Sequence, residues 1–270
     1  MTSTSTPDLS RLDQAAELLA RCRLECQPLD ALPGHLQPVD EREAYEIQEL
    51  LHGRLSAAGL GRVSGFKIGC TTPVMQAFLN IPNPCAGGVF EHTVRRSPAA
   101  MRHADFVRVG VECEIVARLG ADLPARAQPY SLEDVAAAVA AIMPGMEIVD
   151  ARYVDYSRLD TPTLIADDFF DAGVVLGPET VDWRSIDLAA ITGVTRINGV
   201  EVGRGAGRDV MGHPLQALAW LANLRSARGQ SLPAGAFVFL GSVVETKWVA
   251  RADHVVMDID RLGRVEARFD

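Results

Sequence analysis

The sequence predicts a mixed α+β body, mostly sheet, with a helical N-terminal arm. Three observations carry that prediction. Apolar residues recur every three or four positions over about the first 60 residues, then give way to alternating or β-branched runs. Helical patterns return at 132–143 and 214–227, too irregularly for the β-α-β-α alternation of a parallel sheet. Asn198-Gly199 stands between two β-rich flanks, and both residues tolerate the positive φ of a tight hairpin turn.

Taken in order, the elements begin behind a polar tail, MTSTSTPDLS. Leu9, Leu12, Ala16, Leu19 and Cys22 share a helical face behind the candidate caps Asp8 and Ser10. A proline-rich break, Pro28 to Pro38, follows. The second helix opens at a capping box, Asp40 with Glu43, lines up Ala44, Ile47, Leu51 and Leu55, and stops at Gly59. Strand-like runs occupy 62–69, 106–118, 145–150, 172–176, 193–203, 236–242 and 253–269. The segment 82–88, rich in proline and glycine, reads as a flexible loop of the sort that lids a site. Ser131 and Asp134 form another capping box, opening an Ala-rich helix expected to run through 143. The glycine cluster Gly203 to Gly207 follows a hairpin, so it lacks the strand-to-helix context of a dinucleotide-binding turn.

Composition removes several classes of function. Lys plus Arg 26 against Asp plus Glu 35 gives a net charge of −9 without a basic stripe, which excludes a nucleic-acid partner. The longest apolar run, Val135 to Met143, is far shorter than the ~20 residues of a membrane helix. The N-terminus has neither the basic start nor the apolar stretch of a signal peptide, so a soluble, cytoplasmic protein is expected. Five cysteines without a CxxC pair argue against a disulfide framework or zinc site and for small buried hydrophobes in a reducing compartment. A chain this long buries ~73% of its surface without metal staples, so a metal here would serve function rather than folding.

The acidic strand is the first chemical signal. In FVRVGVECEIVAR, Phe106 to Arg118, alternation sends Val107, Val109, Val111, Cys113, Ile115 and Ala117 to one face. Glu112 and Glu114 then share the other face with Cα atoms ~6.8 Å apart. Two like charges so placed repel unless a cation sits between them; the competing reading is a solvated acidic face paired with Arg108 and Arg118. Glu147, which interrupts the apolar run around Met146 and Ile148, adds a third carboxylate too costly to bury without a partner. Three carboxylates on neighbouring strands suit Mg²⁺ or Mn²⁺, with Asp150 on the opposite face of its strand as the rival ligand.

Lys67 is the second signal. It lies in the apolar strand Phe66-Lys67-Ile68-Gly69, where desolvation or a nearby metal would lower its pKa enough for proton transfer. Thr71-Thr72-Pro73 reads as a helix start whose hydroxyls and N–H groups suit an anion, although Thr72 also serves as a plain N-cap.

In order, FKIGCT, VECEI, MEIVD, DTPTLIADD, NGVEVGRGAG, GHPLQALAWLAN and AGAFVFLGS resemble the 2-keto-4-pentenoate hydratase and 4-oxalocrotonate decarboxylase group of the fumarylacetoacetate hydrolase superfamily. The resemblance runs from about Ala44 to the C-terminus. It implies a mixed β-roll or sandwich core, divided into a helical N-terminal region, 1–70, and a catalytic domain, 71–270. It further implies that Glu112, Glu114 and Glu147 bind Mg²⁺ or Mn²⁺, that Lys67 assists proton transfer, and that Ser242 binds the substrate's carboxylate end. Two departures stand out. Pro84-Cys85-Ala86-Gly87 replaces the group's usual P-D-F-G, and Phe169-Phe170 follows Ala166-Asp167-Asp168 where the group has small or hydroxyl residues after A-D-N, which makes Phe169 and Phe170 a bulky pocket floor. Cys85 is either a nucleophile, with His92 or His213 as partner, or a structural cysteine.

The resemblance implies a metal-dependent lyase acting on a small 2-oxo acid or its enol in catabolism, of 2-hydroxy-dienoate hydratase or 2-oxo-enoate decarboxylase type. An acylpyruvate-type C–C hydrolase or oxaloacetate-type decarboxylase is the second expectation. A non-catalytic partner subunit of a related hydratase or decarboxylase is the third. Homo-oligomers, and association with such a related subunit, follow from the same resemblance.

Overall fold

The computed structural model describes residues 10–72, 75–77 and 81–270; Asp8, Leu9 and Pro73, with the expectations attached to them, lie outside the described residues. Helix α1, Arg11–Leu24, starts where Ser10 Oγ accepts from Asp13 N, and it buries Ala15, Ala16, Leu19, Ala20 and Cys22. Helix α2, Glu41–Leu55, is capped by Asp40, which accepts from Glu43 N at 2.8 Å. Glu43 turns its own carboxylate to Val39 N and to Arg11 of α1, tying the two helices together. Ala44, Ile47, Leu51 and Leu55 are fully buried, as the helical spacing requires. The helix ends in a π turn, Ser56–Leu60, with Gly59 at φ 102°.

The strands form two sheets. The larger holds β1 Val63–Gly69, β2 Cys85–Phe90, β3 Val94–Arg96, β5 Val109–Leu119, β6 Val139–Asp150, β7 Asp171–Leu176 and β10 Phe237–Trp248, in the order β2-β1-β10-β5-β6-β7-β3. The smaller holds β4 Ala99–Met101, β8 Thr192–Ile197, β9 Val200–Ala206, β11 His254–Ile259 and β12 Gly263–Phe269, in the order β4-β12-β11-β8-β9. Asn198 and Gly199, at φ 52° and 82°, make the expected hairpin turn between β8 and β9. The odd-numbered face of β5 turns toward the smaller sheet, where Gly193 leaves room for Cys113 and Val243. Further helices are α3 Leu132–Ala138, α4 Thr161–Ala166 and α5 Pro214–Ala227. Leu215, Ala217, Leu218, Leu221 and Ala222 of α5 are buried in the main core. Among the described residues, no helix is long and apolar enough to cross a membrane.

Two expectations are corrected. The segment read as a loop runs at Cys85 into β2, which is buried along its whole length and pairs antiparallel with β1. Its glycines answer crowding rather than a need for mobility. A Cβ on Gly87 would lie 2.9 Å from Asp168 O, and one on Gly88 would lie 2.6 Å from the His52 ring. The Ala-rich helix stops at Ala138, and Val139–Asp150 is one continuous strand. Pairing with β5 overrides the helical preference of the alanines there.

Candidate metal centre

The antiparallel register of β5 and β6 sets Glu112 directly opposite Glu147, with Glu114 one step along the same face. One oxygen from each of the three carboxylates lies within 4.8 Å of the others. The face is mostly buried, with Glu112 half-buried at its edge. Glu114 and Glu147 are each 1% exposed, and Val116 beyond them is fully buried. The structure thus decides between the two readings of the acidic strand in favour of convergence. Asp150, the rival ligand, instead accepts from Val107 N and Arg108 N at 3.1 and 2.7 Å.

Strand β10 supplies the partners on the other side. Its register against β5 shifts between Phe239 and Ser242 and twice more before Lys247, the kind of bulging that re-aims side chains beside a site. Gly241 N donates to Glu114 Oε2 at 2.8 Å, and Thr246 Oγ1 donates to Glu112 Oε1. Gly241 needs to be glycine on two counts. Its φ is 114°, and a Cβ there would lie 2.3 Å from Thr71 Oγ1.

Lys67 reaches the same place from β1. Its Nζ donates to Phe169 O at 2.7 Å, lies 3.0 Å from Glu147 Oε1, and sits 5.4 Å from the centre of the Phe169 ring. The contact with Glu147 is an ion pair rather than an aligned hydrogen bond. Burial opposes the lysine's charge, as the sequence suggests, but Glu147 and Glu112 outweigh it and hold the pKa above the usual lysine value. The expectation of a lowered lysine pKa is therefore corrected for the metal-free chain. Burial pushes Glu147 up to about 7 even with Lys67 beside it. Burial, then Glu147 and Glu112, raise Glu114 well above the carboxylate range.

This donor set fits a hard divalent cation. All the donors are carboxylate oxygens, and their mutual repulsion is what such an ion relieves. Three carboxylates, one ammonium and one doubly charged ion sum to zero.

Behind Lys67 the turn that carries Phe169 and Phe170 is held by charge pairs the sequence reading did not assign. Asp168, Phe169 and Phe170 have consecutive φ values of 53°, 51° and 71°, left-handed backbone that costs ~1–2 kcal/mol per L-residue. The turn is held from outside. Asp168 Oδ1 accepts from Gly88 N at 2.9 Å and is 2.6 Å from His52 Nε2, while Arg23 of α1 reaches Asp168 Oδ2 and Asp171 O, each at 2.8 Å. Arg152 pairs with Asp167 at 2.9 Å. Burial works against Asp168, yet His52, Arg23 and Gly88 N hold its pKa well below the usual range. Three aspartates within Asp167 to Asp171, set between apolar runs, are the signal that buried cations must come from elsewhere.

The remaining candidates fall as follows. Ser242 pairs with Glu114 across the strands, and its Oγ donates to Val244 O. Thr72 Oγ1 accepts from Met75 N at 3.3 Å, the N-cap geometry. Phe170 packs edge-on to Tyr153, Tyr156 and Phe169, so Phe169 rather than Phe170 touches Lys67. Cys85 is fully buried, and its Cys70 neighbour, with burial, holds the thiol far above a reactive range. Neither histidine is bonded to it: His92 Nδ1 is 2.6 Å from Gly59 O, and His213 caps α5.

Residues 87–270 match the fumarylacetoacetate (FAA) hydrolase C-terminal family. The chain belongs to the fumarylacetoacetate hydrolase family, as its ordered motifs imply. Within it, the chain is 28% identical to 4-oxalocrotonate decarboxylase of Pseudomonas putida, over 94% of this chain and 95% of that one. It is 32% identical to 2-keto-4-pentenoate hydratase of Paraburkholderia phymatum, over 97% and 98%. The structure of 4-oxalocrotonate decarboxylase from Pseudomonas putida G7, complexed with magnesium and adipate, matches with a TM-score of 0.90 at 27% identity, covering 98% of this chain and 100% of that one.

Proposed function

We propose that the chain is a divalent-metal-dependent lyase acting on a small 2-oxo acid or its enol, of 2-hydroxy-dienoate hydratase or 2-oxo-enoate decarboxylase type. The convergence of Glu112, Glu114 and Glu147 beside the buried Lys67 carries this reading. The named relatives, a decarboxylase and a hydratase, support it, as does the magnesium in the similar decarboxylase structure. In this reading the three glutamates hold Mg²⁺ or Mn²⁺. Bound there, the cation would supply a Lewis acid for the substrate's carboxylate and 2-oxo oxygens.

The chain's own residues do the rest. Phe169 O and Glu147 fix the Lys67 ammonium, so Nζ presents a proton at one defined point, where the substrate carbon is protonated or deprotonated. Neutralising the glutamates removes the force that raises the lysine's pKa and brings it nearer to exchange. Ser242, opposite Glu114, and Thr72, one residue from the Thr71 that backs onto Gly241, take the substrate's carboxylate end. Phe170 backs Phe169 as the apolar wall. The same reading makes the protein a cytoplasmic, catabolic homo-oligomer, able to associate with a related hydratase or decarboxylase subunit.

The test is a panel of 2-hydroxy-dienoates and 2-oxo-enoates given to Mg²⁺-loaded protein, followed by loss of the conjugated ultraviolet absorbance. We expect turnover that stops with EDTA and falls about 100-fold or more in Glu112→Ala. Cleavage of acylpyruvates with no dienol turnover would replace this reading with a C–C hydrolase.

A further inference from the structure

Phe66 and Lys67 are neighbours in β1, so their side chains leave opposite faces of the sheet. On the Phe66 side a groove of about 370 Å³ opens between α2, the β1–β2 pair and the C-terminal end of α5. None of the three clustered glutamates, nor Lys67, lines it. Its volume falls within the ~300–1,000 Å³ of small-molecule sites.

The groove's charges do not cancel. Arg228 pairs with Glu49 at 2.7 Å, and Gln230 donates to the same Glu49 oxygen. His52, in the wall, is committed to Asp168. Arg225 is left over. Its guanidinium lies 4.4 Å over the Phe66 ring and gives its Nε–H to Ser231 O at 3.0 Å. Among the described residues, no carboxylate lies within 4.0 Å of it. Burial draws its pKa down, Arg228 adds to that, and Glu49 offsets it only in part. Two guanidiniums thus line one groove, and only that of Arg228 has a carboxylate partner among the described residues.

We propose that this groove is a second binding site, for a small aliphatic carboxylate, with the charge taken by Arg225 and Arg228 and the carbon chain by Phe66, Leu221 and Leu224. A monoanion matches the one unpaired cation, and the apolar wall favours a carboxylate with a chain over a bare inorganic anion. None of the clustered glutamates takes part in the site, which meets the lysine side of the sheet at Asp168, through His52 and Gly88 N.

The probe is hexanoate, which lacks the 2-oxo group, titrated calorimetrically into Mg²⁺-loaded protein. We expect one molecule per chain, binding that survives EDTA, and affinity at least about tenfold weaker in Arg225→Gln, as expected for one lost charge-assisted hydrogen bond. Inorganic phosphate and hexan-1-ol are each expected to bind at least about tenfold more weakly than hexanoate. Equal binding by Arg225→Gln, loss of binding with the metal, or no binding to the wild type overturns the proposal. Phosphate binding as tightly as hexanoate overturns the aliphatic assignment. If Arg225→Gln does not fold, the hexanoate and hexan-1-ol comparison on the wild type decides alone, since equal affinities remove the arginines from the site.

Discussion

Glu114 accepts one good hydrogen bond, from Gly241 N, and is itself buried beside the buried Glu147 and the half-buried Glu112. A glutamine there keeps an oxygen for Gly241 and is neutral at every pH, where burial and the two neighbouring glutamates already oppose the charge on Glu114. We expect Glu114→Gln to leave the metal-free protein as stable as the wild type or up to about 3 kcal/mol more so. Its Mg²⁺ affinity should fall at least about tenfold. Calorimetric titration and thermal melts with EDTA check both, and unchanged Mg²⁺ affinity would remove Glu114 from the ligand set. At this scale the sequence was informative wherever chemistry alone makes a residue expensive. A glutamate inside Met146 to Val149 and a lysine inside Phe66 to Ile68 announce themselves by their desolvation cost. Thr246 does not, because a threonine in a strand is ordinary and only the bulges of β10 bring it to Glu112.

Among the elements, the turn Asp168–Phe170 connects the N-terminal helices to the lysine. Arg23 of α1 and His52 of α2 hold Asp168, and the next residue offers the carbonyl that Lys67 binds. Removing the guanidinium leaves buried aspartates uncompensated, so Arg23→Met should cost about 3–5 kcal/mol. Urea denaturation measures it, and a loss under about 1 kcal/mol would mean the pair is incidental. Helices α1 and α2 were legible from apolar spacing and caps, and the hairpin from Asn198-Gly199. Strand β2 was not, since its glycines carry no pattern and are explained only by what crowds them. The length of β6 was hidden for a related reason: Val139 to Met143 suits a helix or a strand until β5 pairs with it.

For the whole molecule, the metal-free site makes stability depend on pH. Burial, first among the causes, raises Glu147 to about 7 and Asp171 to about 6, from ordinary values of 4.5 and 3.8. The folded chain therefore binds protons that the unfolded chain has released. The stability these groups contribute is fully present below their ordinary values and is lost as pH rises through about 6 and 7. A cation displaces the protons from the glutamates, so its binding tightens over the same window. We expect the metal-free melting temperature to fall between about pH 5 and pH 8, and the gain from Mg²⁺ to be larger at about pH 8 than at about pH 6. Melts with EDTA and with Mg²⁺ at each pH decide it, and a gain that shrinks with rising pH would contradict the site.

Period, caps and the cost of burying charge pointed to the class of fold and to Glu112, Glu114, Glu147 and Lys67 as candidates. These depend on local spacing and on desolvation, both of which a linear chain displays. Only the tertiary structure decided that Asp150 turns away to backbone N–H groups and that Cys85 is sealed in β2. The same is true of the grip of Arg23 and His52 on Asp168, next to the Phe169 carbonyl that Lys67 binds, and of Arg225 over Phe66 on the reverse face. Each of these depends on strand register and on partners far away in sequence, and pairing at long range leaves no trace in the order of neighbouring residues.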